Sequence, residues 1–406
     1  MNLTPKISDR NFFSFLWHAC FLAFAGVFMD VDTIIPAMLI ESGGGAIHVG
    51  IMTAILLGGS SFTQLFFAPY ISNKSYKKKY LLLGINSRIF SLLGLGLILF
   101  YLQSQHSVYI IWIIFVLITI FSLGGAFANI SYTDILGKSV LEEKRKSFLS
   151  FKQIIAGIVV LFSAFLARKV LSSSNFPLNY AYTFMIGSFA LLIASLGFWN
   201  LKETEPSVLK INGFKKFIQI LKSELKTNPK LVYFLGFINT QGVVVSFLPF
   251  LMLYAKEVFQ TQSNDTAMFL VFKVVGIVLV SLLIFLSANK TKYKWLLYGN
   301  VFLSLTMAIG TILINDAIQI KYIFILGGIV YSIFSITMNG VLLEVSGKEN
   351  RAIYTGFVGA GNIIPAIFPL MAGYLIRVFG FQNFFLLYIV IIFFSVFFIY
   401  KLNCKK

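Results

Sequence analysis

Long apolar runs alternate with short polar breaks over the whole chain. Each run has about 20 residues, the length that an α-helix needs to cross the hydrocarbon core of a bilayer. The pattern predicts twelve transmembrane helices, at about 14–39, 47–70, 80–101, 108–135, 148–170, 180–200, 230–254, 266–287, 295–314, 321–345, 353–376 and 381–400. The first run follows Lys6 and Arg10 as in a signal peptide, but it continues through Pro36 without a small-residue cleavage site, so we interpret it as a span.

Composition agrees with this pattern and excludes a soluble domain. Hydrophobic residues make up 58% of the 406 residues, and charged residues only 12%. Soluble domains carry about 25% charged residues, and the mean hydropathy of this chain is +0.86. The sequence therefore predicts an all-α integral membrane protein with twelve transmembrane helices.

The distribution of basic residues along the chain indicates the membrane topology. Of the 33 lysines and arginines, 25 lie at the termini and in every second loop, five lie in or beside the intervening loops, and three lie within spans. The positive-inside rule then places both termini and the loop 201–229 in the cytoplasm. The basic loops reflect topology and attraction to anionic lipid headgroups, so the net charge of +18 gives no support to nucleic-acid binding. We therefore expect the lipid bilayer as a partner and no nucleic acid.

A repeat divides the chain into two halves. Pro36 and Pro249 are 213 residues apart, and a four-residue set at the end of span 4 recurs 210 residues later at the end of span 10. The set is Asn129, Asp134, Gly137 and Lys138, and its counterpart is Asn339, Glu344, Gly347 and Lys348. Because the offset spans six crossings, the halves have the same orientation and form a parallel repeat. We predict two six-helix bundles, 1–200 and 230–406, joined by a linker at 201–229.

The predicted linker contains an amphipathic segment. Phe214, Phe217, Ile218, Leu221 and Leu225 follow the spacing of one helical face, and lysines occupy other positions. The pattern predicts a helix that lies on the cytoplasmic leaflet. The alternative is a partly ordered linker.

Two parallel six-span bundles joined by a basic cytoplasmic loop resemble the major facilitator superfamily. The stretch "DTIIPAM" (32–38) resembles the Asp-x-x-x-Pro signature in the first span of its drug:proton antiporter branch, and "SYTDILGKSVLEEKRKSF" (131–148) resembles the loop after span 4. The resemblance implies a monomeric secondary transporter that moves a small-molecule substrate by alternating access. It implies no cofactor, with the proton gradient as the driving force.

The loop after span 2 departs from the family pattern. "APYISNKSYKKKYLLLG" (68–84) takes the place of the family's Gly-x-x-x-Asp-Arg-x-Gly-Arg-Arg motif, but it contains no acidic residue. The usual carboxylate latch of the cytoplasmic gate is therefore missing or moved, and we expect Asp134, with Glu344 as its twin, to substitute. The residues that we assign to the cytoplasmic gate are Asn73, Lys74, Arg88, Asp134, Arg145, Glu344 and Arg351. Snorkelling towards the cytoplasm is the alternative for Arg88.

Two carboxylates, Asp30 and Asp32, interrupt the first apolar run. On a helix that starts near Ser14, Asp30 lies roughly 24 Å along the axis, and Asp32 lies nearer the outer boundary. One straight helix cannot aim both acids at one cavity, but Pro36 lacks the N–H that would bond the carbonyl of residue 32, which loosens the helix. We expect Asp30 to face the central cavity and Asp32 to lie at the periplasmic mouth or gate. The alternatives are a structural pairing for Asp30 and a solvated helix end for Asp32.

These two acids are the predicted proton carriers. Burial in a medium of low dielectric raises the pKa of a carboxyl group, so protonation can alternate with exposure to either side of the membrane. Asp30 and Asp32 are the acids in the sequence that lie within a predicted span and that we place well away from a cytoplasmic interface.

Polar residues at mid-depth are the predicted substrate site. Lys273 could bind an anionic group of the substrate or pair with Asp30, and snorkelling to the outer surface is the alternative. Asn239, Gln241 and Asn362 could hydrogen-bond a solute, or they could join helices to one another. We expect Lys152, near the start of span 5, to meet lipid headgroups.

Other function classes find little support. The chain has no Gly-Lys-Ser/Thr nucleotide loop, and its three histidines are scattered, so we expect neither an ATP-driven pump nor an enzyme nor a metal site. Cys20 and Cys404 are too far apart in topology to pair. We expect proton-coupled efflux of amphipathic compounds across the cytoplasmic membrane. Proton-coupled uptake of a sugar, amino acid or organic anion is the alternative, and a solute sensor on the same fold is a further one.

Overall fold

A computed structural model describes residues 3–72, 74–101, 108–206, 213–287, 292–346, 358–359 and 361–402. Over these residues the chain is helical and contains no β-strand, as the all-α prediction requires. Two residues assigned to the cytoplasmic gate, Asn73 and Arg351, lie outside the described residues, and so does Cys404.

Eight helices lie in the first part of the chain. They are α1 (Pro5–Phe28), α2 (Ile34–Glu41), α3 (Ala46–Ser72), α4 (Lys78–Tyr101), α5 (Val108–Ser139), α6 (Glu142–Leu171), α7 (Leu178–Asn200) and α8 (Gly213–Thr227). The predicted amphipathic linker is thus helical over α8, which confirms a helix there, and the lysines 215, 222 and 226 of this helix are exposed.

The second part contains six more α-helices and a 3₁₀ segment. They are α9 (Pro229–Gln241), the 3₁₀ helix Gly242–Ser246, α10 (Phe247–Phe259), α11 (Ser263–Ser287), α12 (Tyr293–Ile312), α13 (Ala317–Ser346) and α14 (Ile363–Leu402). Within α14, Gly380 has φ 80° and ψ 173°, a conformation that a side chain disfavours. This residue separates the last two predicted spans.

Ten of the described helical segments are long and apolar enough to cross a membrane. One of them, Pro229–Phe259, runs through the 3₁₀ segment, and another, Ile363–Leu402, covers two predicted spans. Helix α3 contributes a shorter apolar helix, Ala46–Gly59. The chain is therefore a multi-pass membrane protein, and the count of twelve stays a prediction.

Contacts between residues divide the chain into two compact units. Unit 1 contains residues 1–30 and 62–217, and unit 2 contains residues 31–61 and 218–406. The division falls between Asp30 and Val31, so a segment of the first repeat packs with the second repeat in unit 2. The bundle boundaries predicted from the repeat stay a prediction.

Both units have the surface of a protein solvated by lipid. Large aromatic side chains such as Phe162, Phe285 and Phe302 are exposed, although water would penalise them. Other large side chains, such as Phe15 in unit 1 and Phe247 in unit 2, are fully buried. The apolar sequence runs therefore supply both the core and the lipid-facing surface.

Candidate functional site

The first predicted span is interrupted at its two acids. Helix α1 ends at Phe28 and α2 begins at Ile34, so residues 29–33 are not helical. Pro36 is the third residue of α2 and lacks the N–H that would bond the carbonyl of residue 32. The helix is therefore broken just where the proline predicts a loosened one.

The repeat places an interruption at the equivalent point of the second half. Residues 242–246 form the 3₁₀ segment between α9 and α10, and the offset of 213 that relates the two prolines also relates 29–33 to 242–246. Pro249 is the third residue of α10, as Pro36 is of α2. Interrupted helices at corresponding positions of two repeats are a recurrent mark of transporter binding sites.

A buried ion pair lies in unit 2 next to the first interruption. Lys273 of α11 lies with its Nζ 2.5 Å from a carboxylate oxygen of Asp32. Asp32 is 5% exposed and Lys273 is 3% exposed, and the ammonium lies 6.0 Å from the ring centre of Tyr331. The alternatives of a solvated helix end for Asp32 and of snorkelling for Lys273 are thus wrong, because both groups are buried.

Burial makes the two charges depend on each other. An ion pair held away from water is strongly destabilised when one partner loses its charge, because the other charge is left uncompensated. Protonation of Asp32 therefore cannot leave Lys273 unaffected.

Asp30 is half-buried and is the last residue of the first segment of unit 1. Its predicted orientation towards a central cavity and its alternative pairing with Lys273 stay predictions.

A second ion pair in unit 2 joins the end of α2 to α10. The Nζ of Lys256 lies 2.5 Å from a carboxylate oxygen of Glu41 and donates to the carbonyl of Thr261 at 3.3 Å. The hydroxyl of Ser263 lies 3.2 Å from the other Glu41 oxygen. No sequence pattern marks these residues as partners, because isolated charges in outer loops do not indicate what they pair with.

The two amides of the predicted substrate site that lie in α9 make structural hydrogen bonds. Gln241 is fully buried, donates to the hydroxyl of Ser304 at 2.9 Å and accepts from that of Ser395 at 3.1 Å. Asn239 donates to the carbonyl of Gly361 at 2.6 Å and accepts from the amide of Ile364 at 2.8 Å. These contacts favour the helix-joining alternative, while a role in substrate binding stays a prediction.

Asn362 differs from these two amides. It precedes α14, and its side-chain oxygen is buried and has no hydrogen-bond partner among the described residues. It lies close to the 3₁₀ segment, since a Cβ added at Gly242 would be 3.5 Å from this oxygen. Of the three predicted amides, Asn362 therefore retains an acceptor for a solute.

Asp134 is the centre of a charged cluster at the predicted cytoplasmic end of unit 1. Its carboxylate lies 2.7 Å from the Nζ of Lys77 and 3.1 Å from that of Lys138. In the loop after predicted span 2, the lysine that pairs with Asp134 is thus Lys77. Lys74, which we had assigned to the gate, lies with its ammonium 4.8 Å from the ring centre of Tyr70.

Glu203 supplies the carboxylate that the loop after span 2 lacks. Its oxygens accept from the backbone amides of Lys77 and Lys78 at 2.8 Å each, where α4 begins, and it pairs with Lys138 at 2.8 Å. A carboxylate at a helix N-terminus accepts hydrogen bonds from amides that have no partner within the helix, and its negative charge interacts favourably with the positive end of the helix dipole. Glu203 could not be predicted from the sequence, because it follows α7, far along the chain from the loop after span 2.

The other residues assigned to the gate lie in three different settings. Arg145 donates through Nε to the carbonyl of Val140 at 3.0 Å and also contacts the carbonyl of Gly137, so it holds the end of α5. Glu344 is half-buried near the end of α13. Arg88 does not snorkel, because its guanidinium lies 4.3 Å from the ring centre of Phe121, in the middle of α5.

Comparisons with known proteins bear on the whole chain. A family model described as Major Facilitator Superfamily matches residues 16–362. No curated protein gives a significant match to the sequence. Solved structures with a similar fold include the nucleoside transporter NupG, with TM-score 0.68 and 12% identity over 96% of this chain and 98% of that one.

Two further structures show the same likeness. A POT family transporter in complex with a thioalcohol conjugated peptide gives TM-score 0.68 and 14% identity over 96% of each chain. A D-xylose-proton symporter gives TM-score 0.67 and 14% identity, over 95% of this chain and 96% of the other. At these identities the likeness establishes the fold alone.

Proposed function

Because this chain belongs to the major facilitator superfamily, we propose that it is a proton-coupled secondary transporter that moves a small solute across the cytoplasmic membrane by alternating access. Membership of the family and the transporter fold support transport. The proton as the coupling ion, the kind of solute and the direction of movement are our proposals.

The buried pair of Asp32 and Lys273 is the observation that carries the proposal. The pair joins α11 of the second repeat to the interrupted span of the first, within unit 2. A proton that binds Asp32 removes its charge and leaves Lys273 without compensation in a medium of low dielectric. The segment that carries Asp32 then gains free energy by moving to an arrangement in which Lys273 is solvated or finds another anion.

A second contact supports the same motion. Glu41 and Lys256 tie the end of α2 to α10 in unit 2, on the side that the positive-inside rule predicts to be extracellular. In our proposal this pair closes the outer side and opens when the outer side opens. The cluster of Asp134, Lys77 and Glu203 has the corresponding role at the cytoplasmic side.

We assign the direction as efflux of amphipathic compounds, on the Asp-x-x-x-Pro resemblance of residues 32–36 and the high aromatic content. Uptake of a nutrient uses the same ion pair and is the second candidate, since the buried cation Lys273 suits a solute with an anionic group. The proposed transporter is a monomer that needs the proton gradient and no cofactor.

Ligand screening comes before the transport test. The purified protein is screened for thermal stabilisation in detergent at about pH 5.5 and about pH 8, because a ligand that binds the folded state raises its stability by mass action. The probes are lipophilic cations, sugars, amino acids and organic anions. A stabilising compound becomes the substrate for liposome assays.

Gradient-driven accumulation and counterflow exchange separate coupling from binding. We expect Asp32→Asn to lose accumulation driven by a pH gradient and to retain exchange of labelled for unlabelled substrate. Glu143→Gln, at an exposed position early in α6, is the matched control and should behave as the native protein. Undiminished accumulation in Asp32→Asn would exclude Asp32 as a proton carrier, and Asp30→Asn would then be tested in the same way.

A further inference from the structure

Unit 1 has a cavity at its predicted cytoplasmic end, beside the start of α4. The volume of this cavity is about 690 Å³, which is within the range of cavities that bind small molecules. Its lining comes from the loop between α3 and α4, from the first turns of α4 and from the segment that follows α7. The polar lining includes Lys74, Ser75, Tyr76, Lys78, Lys79 and Glu203. One cavity within a single unit thus brings these side chains together.

The lining of the cavity is basic. It contains three lysines, Lys74, Lys78 and Lys79, and one carboxylate, that of Glu203. The oxygens of Glu203 already accept from two backbone amides and pair with Lys138, which does not line the cavity. The cavity therefore has an excess of positive charge that its own carboxylate does not neutralise.

The three lysines are held in place by neutral groups. None of them forms an ion pair with another of the described residues. The Nζ of Lys78 donates to two backbone carbonyls, at 2.8 and 2.7 Å, and the ammonium of Lys74 lies 4.8 Å from the ring centre of Tyr70. Carbonyls and rings orient a cation but do not cancel its charge, so these ammonium groups remain available to an anion.

The cavity opens beside an exposed apolar side of α4. The exposed residues Lys79, Leu83, Phe90 and Leu97 follow one another at intervals of four and seven residues, so they lie along one side of the helix. Helix α4 is long and apolar enough to cross a membrane, and Lys79 lies at the end of this side. A cation followed by apolar side chains matches a phospholipid, whose charged headgroup lies at the membrane surface above its acyl chains.

Tyrosines place the cavity at the boundary between membrane and water. Tyr70 and Tyr76 are 53% and 54% exposed, and the ring of Tyr80, which lines the cavity, lies 6.0 Å from that of Tyr70 in an edge-to-face arrangement. Tyrosine is enriched at the level of the headgroups, because its ring is apolar and its hydroxyl is polar. The lysines of the cavity are therefore at the depth at which lipid phosphates lie.

Lys152, which we expected to meet headgroups, is not among the residues that line this cavity. Its ammonium lies 5.4 Å from the ring centre of Tyr132 in α5. The contact of Lys152 with headgroups stays a prediction.

From these features we propose that the cavity binds the phosphate-bearing headgroup of one anionic phospholipid from the cytoplasmic leaflet. Lys74, Lys78 and Lys79 supply the positive charge, and the hydroxyls of Ser75 and Tyr76 donate hydrogen bonds to the phosphate. Basic pockets at the cytoplasmic ends of transmembrane helices are suited to such headgroups. The exposed side of α4 contacts the acyl chains, which a soluble phosphate compound lacks. The inference does not rest on the proposed transport function.

Three matched probes test the headgroup and the acyl chains separately. Dioctanoyl-phosphatidylglycerol and dioctanoyl-phosphatidylcholine share their chains and differ in headgroup charge, and glycerol phosphate carries the phosphate without chains. Native mass spectrometry of the purified full-length protein counts the bound molecules and gives their dissociation constants. We expect one phosphatidylglycerol to bind, and phosphatidylcholine and glycerol phosphate to bind at least about tenfold more weakly.

A double variant removes charge from the cavity, and the repeat supplies its control. Lys74→Gln with Lys79→Gln should weaken phosphatidylglycerol binding about thirtyfold, because each lysine near an anionic surface contributes about a fivefold factor. Lys292 and Lys294 lie in the equivalent part of the second repeat, where "LLYG" (296–299) corresponds to "LLLG" (81–84), and they do not line the cavity. Lys292→Gln with Lys294→Gln loses the same charge on the same predicted side and should keep the native affinity.

Two further variants separate the charge from the space. Lys74→Arg with Lys79→Arg keeps the charge and should keep most of the affinity. Ser75→Trp keeps all three lysines but places a large side chain in the lining, so it should lose phosphatidylglycerol binding. A monodisperse elution profile and a native melting temperature without lipid show that each variant is folded.

Three results would overturn the site. Equal affinity of the native protein for phosphatidylglycerol and phosphatidylcholine would remove the charge requirement. Equal losses in the double variants at 74 and 79 and at 292 and 294 would show that net charge, and not the cavity, attracts the lipid. Binding of glycerol phosphate as tight as that of the lipid would assign the cavity to a soluble phosphate compound. These are all binding measurements, so none of these results bears on the proposed function.

Discussion

The interruptions at residues 29–33 and 242–246 occupy the same place in the two repeats and differ in chemistry. Both are followed by a helix with proline at its third position. The first carries Asp30 and Asp32, whereas the second has the sequence Gly-Val-Val-Val-Ser. Four of the five residues in the second segment are buried.

This difference separates what the repeat preserves from what it does not. The interruption, called the break from here on, and the proline that follows it recur, so both halves contain an interrupted span. The acids occur in the first half, and the buried cation that meets Asp32 comes from the second, at Lys273. One break thus has a partner for its charge, and the other is held by neutral contacts such as those of Gln241.

The largest expected effect comes from removing the charge at the first break. Asp32→Asn leaves Lys273 buried and uncompensated, which should lower the free energy of unfolding by about 3–5 kcal/mol. The double variant Asp32→Asn with Lys273→Met removes both charges, so its stability should return close to that of the native protein. Thermal and chemical unfolding in detergent measure both quantities.

Transport separates the structural and functional roles of that pair. If the pair only held the fold, the double variant would recover gradient-driven accumulation together with stability. We expect it to recover stability alone, because no proton carrier is left at residue 32.

The next effect tests whether the two breaks are equally important. Pro36→Ala restores an N–H that can bond the carbonyl of residue 32 and so favours a continuous helix. One such bond contributes about 1–1.5 kcal/mol, so turnover should fall roughly tenfold. Pro249→Ala makes the same local change beside the uncharged break and should slow transport less. Equal losses in initial transport rate would show that the acids do not distinguish the two breaks.

Local sequence was sufficient for some of these features and not for others. The apolar runs and Pro36 predicted helices and a weakened first span, because each depends on neighbours along the chain. The offset of 213 predicted a repeat, because the sequence resembles itself at that spacing. The pairing of Asp32 with Lys273 needed the packing of α11 against the interrupted span. Glu203 at the start of α4 was missed for the same reason, since a capping carboxylate from a distant loop leaves no local pattern.

The polar residues within spans show a related limit. Gln241 and Arg88 are both polar groups in apolar helices, and the sequence does not show which of them has a hydrogen-bond partner. The structure gives Gln241 two hydroxyl partners and leaves the Arg88 Nε without one. Whether a buried polar group has a partner depends on several helices at once.

The smallest expected effect lies at the second break. Gln241→Leu removes the hydrogen bonds to Ser304 and Ser395, and both hydroxyls keep an acceptor, in the carbonyls of Asn300 and Ile392. The free energy of unfolding should therefore fall by only about 1–2 kcal/mol, with substrate affinity and transport rate unchanged. Asn362→Ala is the matched variant, because the Asn362 oxygen has no partner to lose and its removal should leave stability unchanged. A loss of substrate affinity in Gln241→Leu would place Gln241 in the binding site, and the second break, like the first, would then take part in transport.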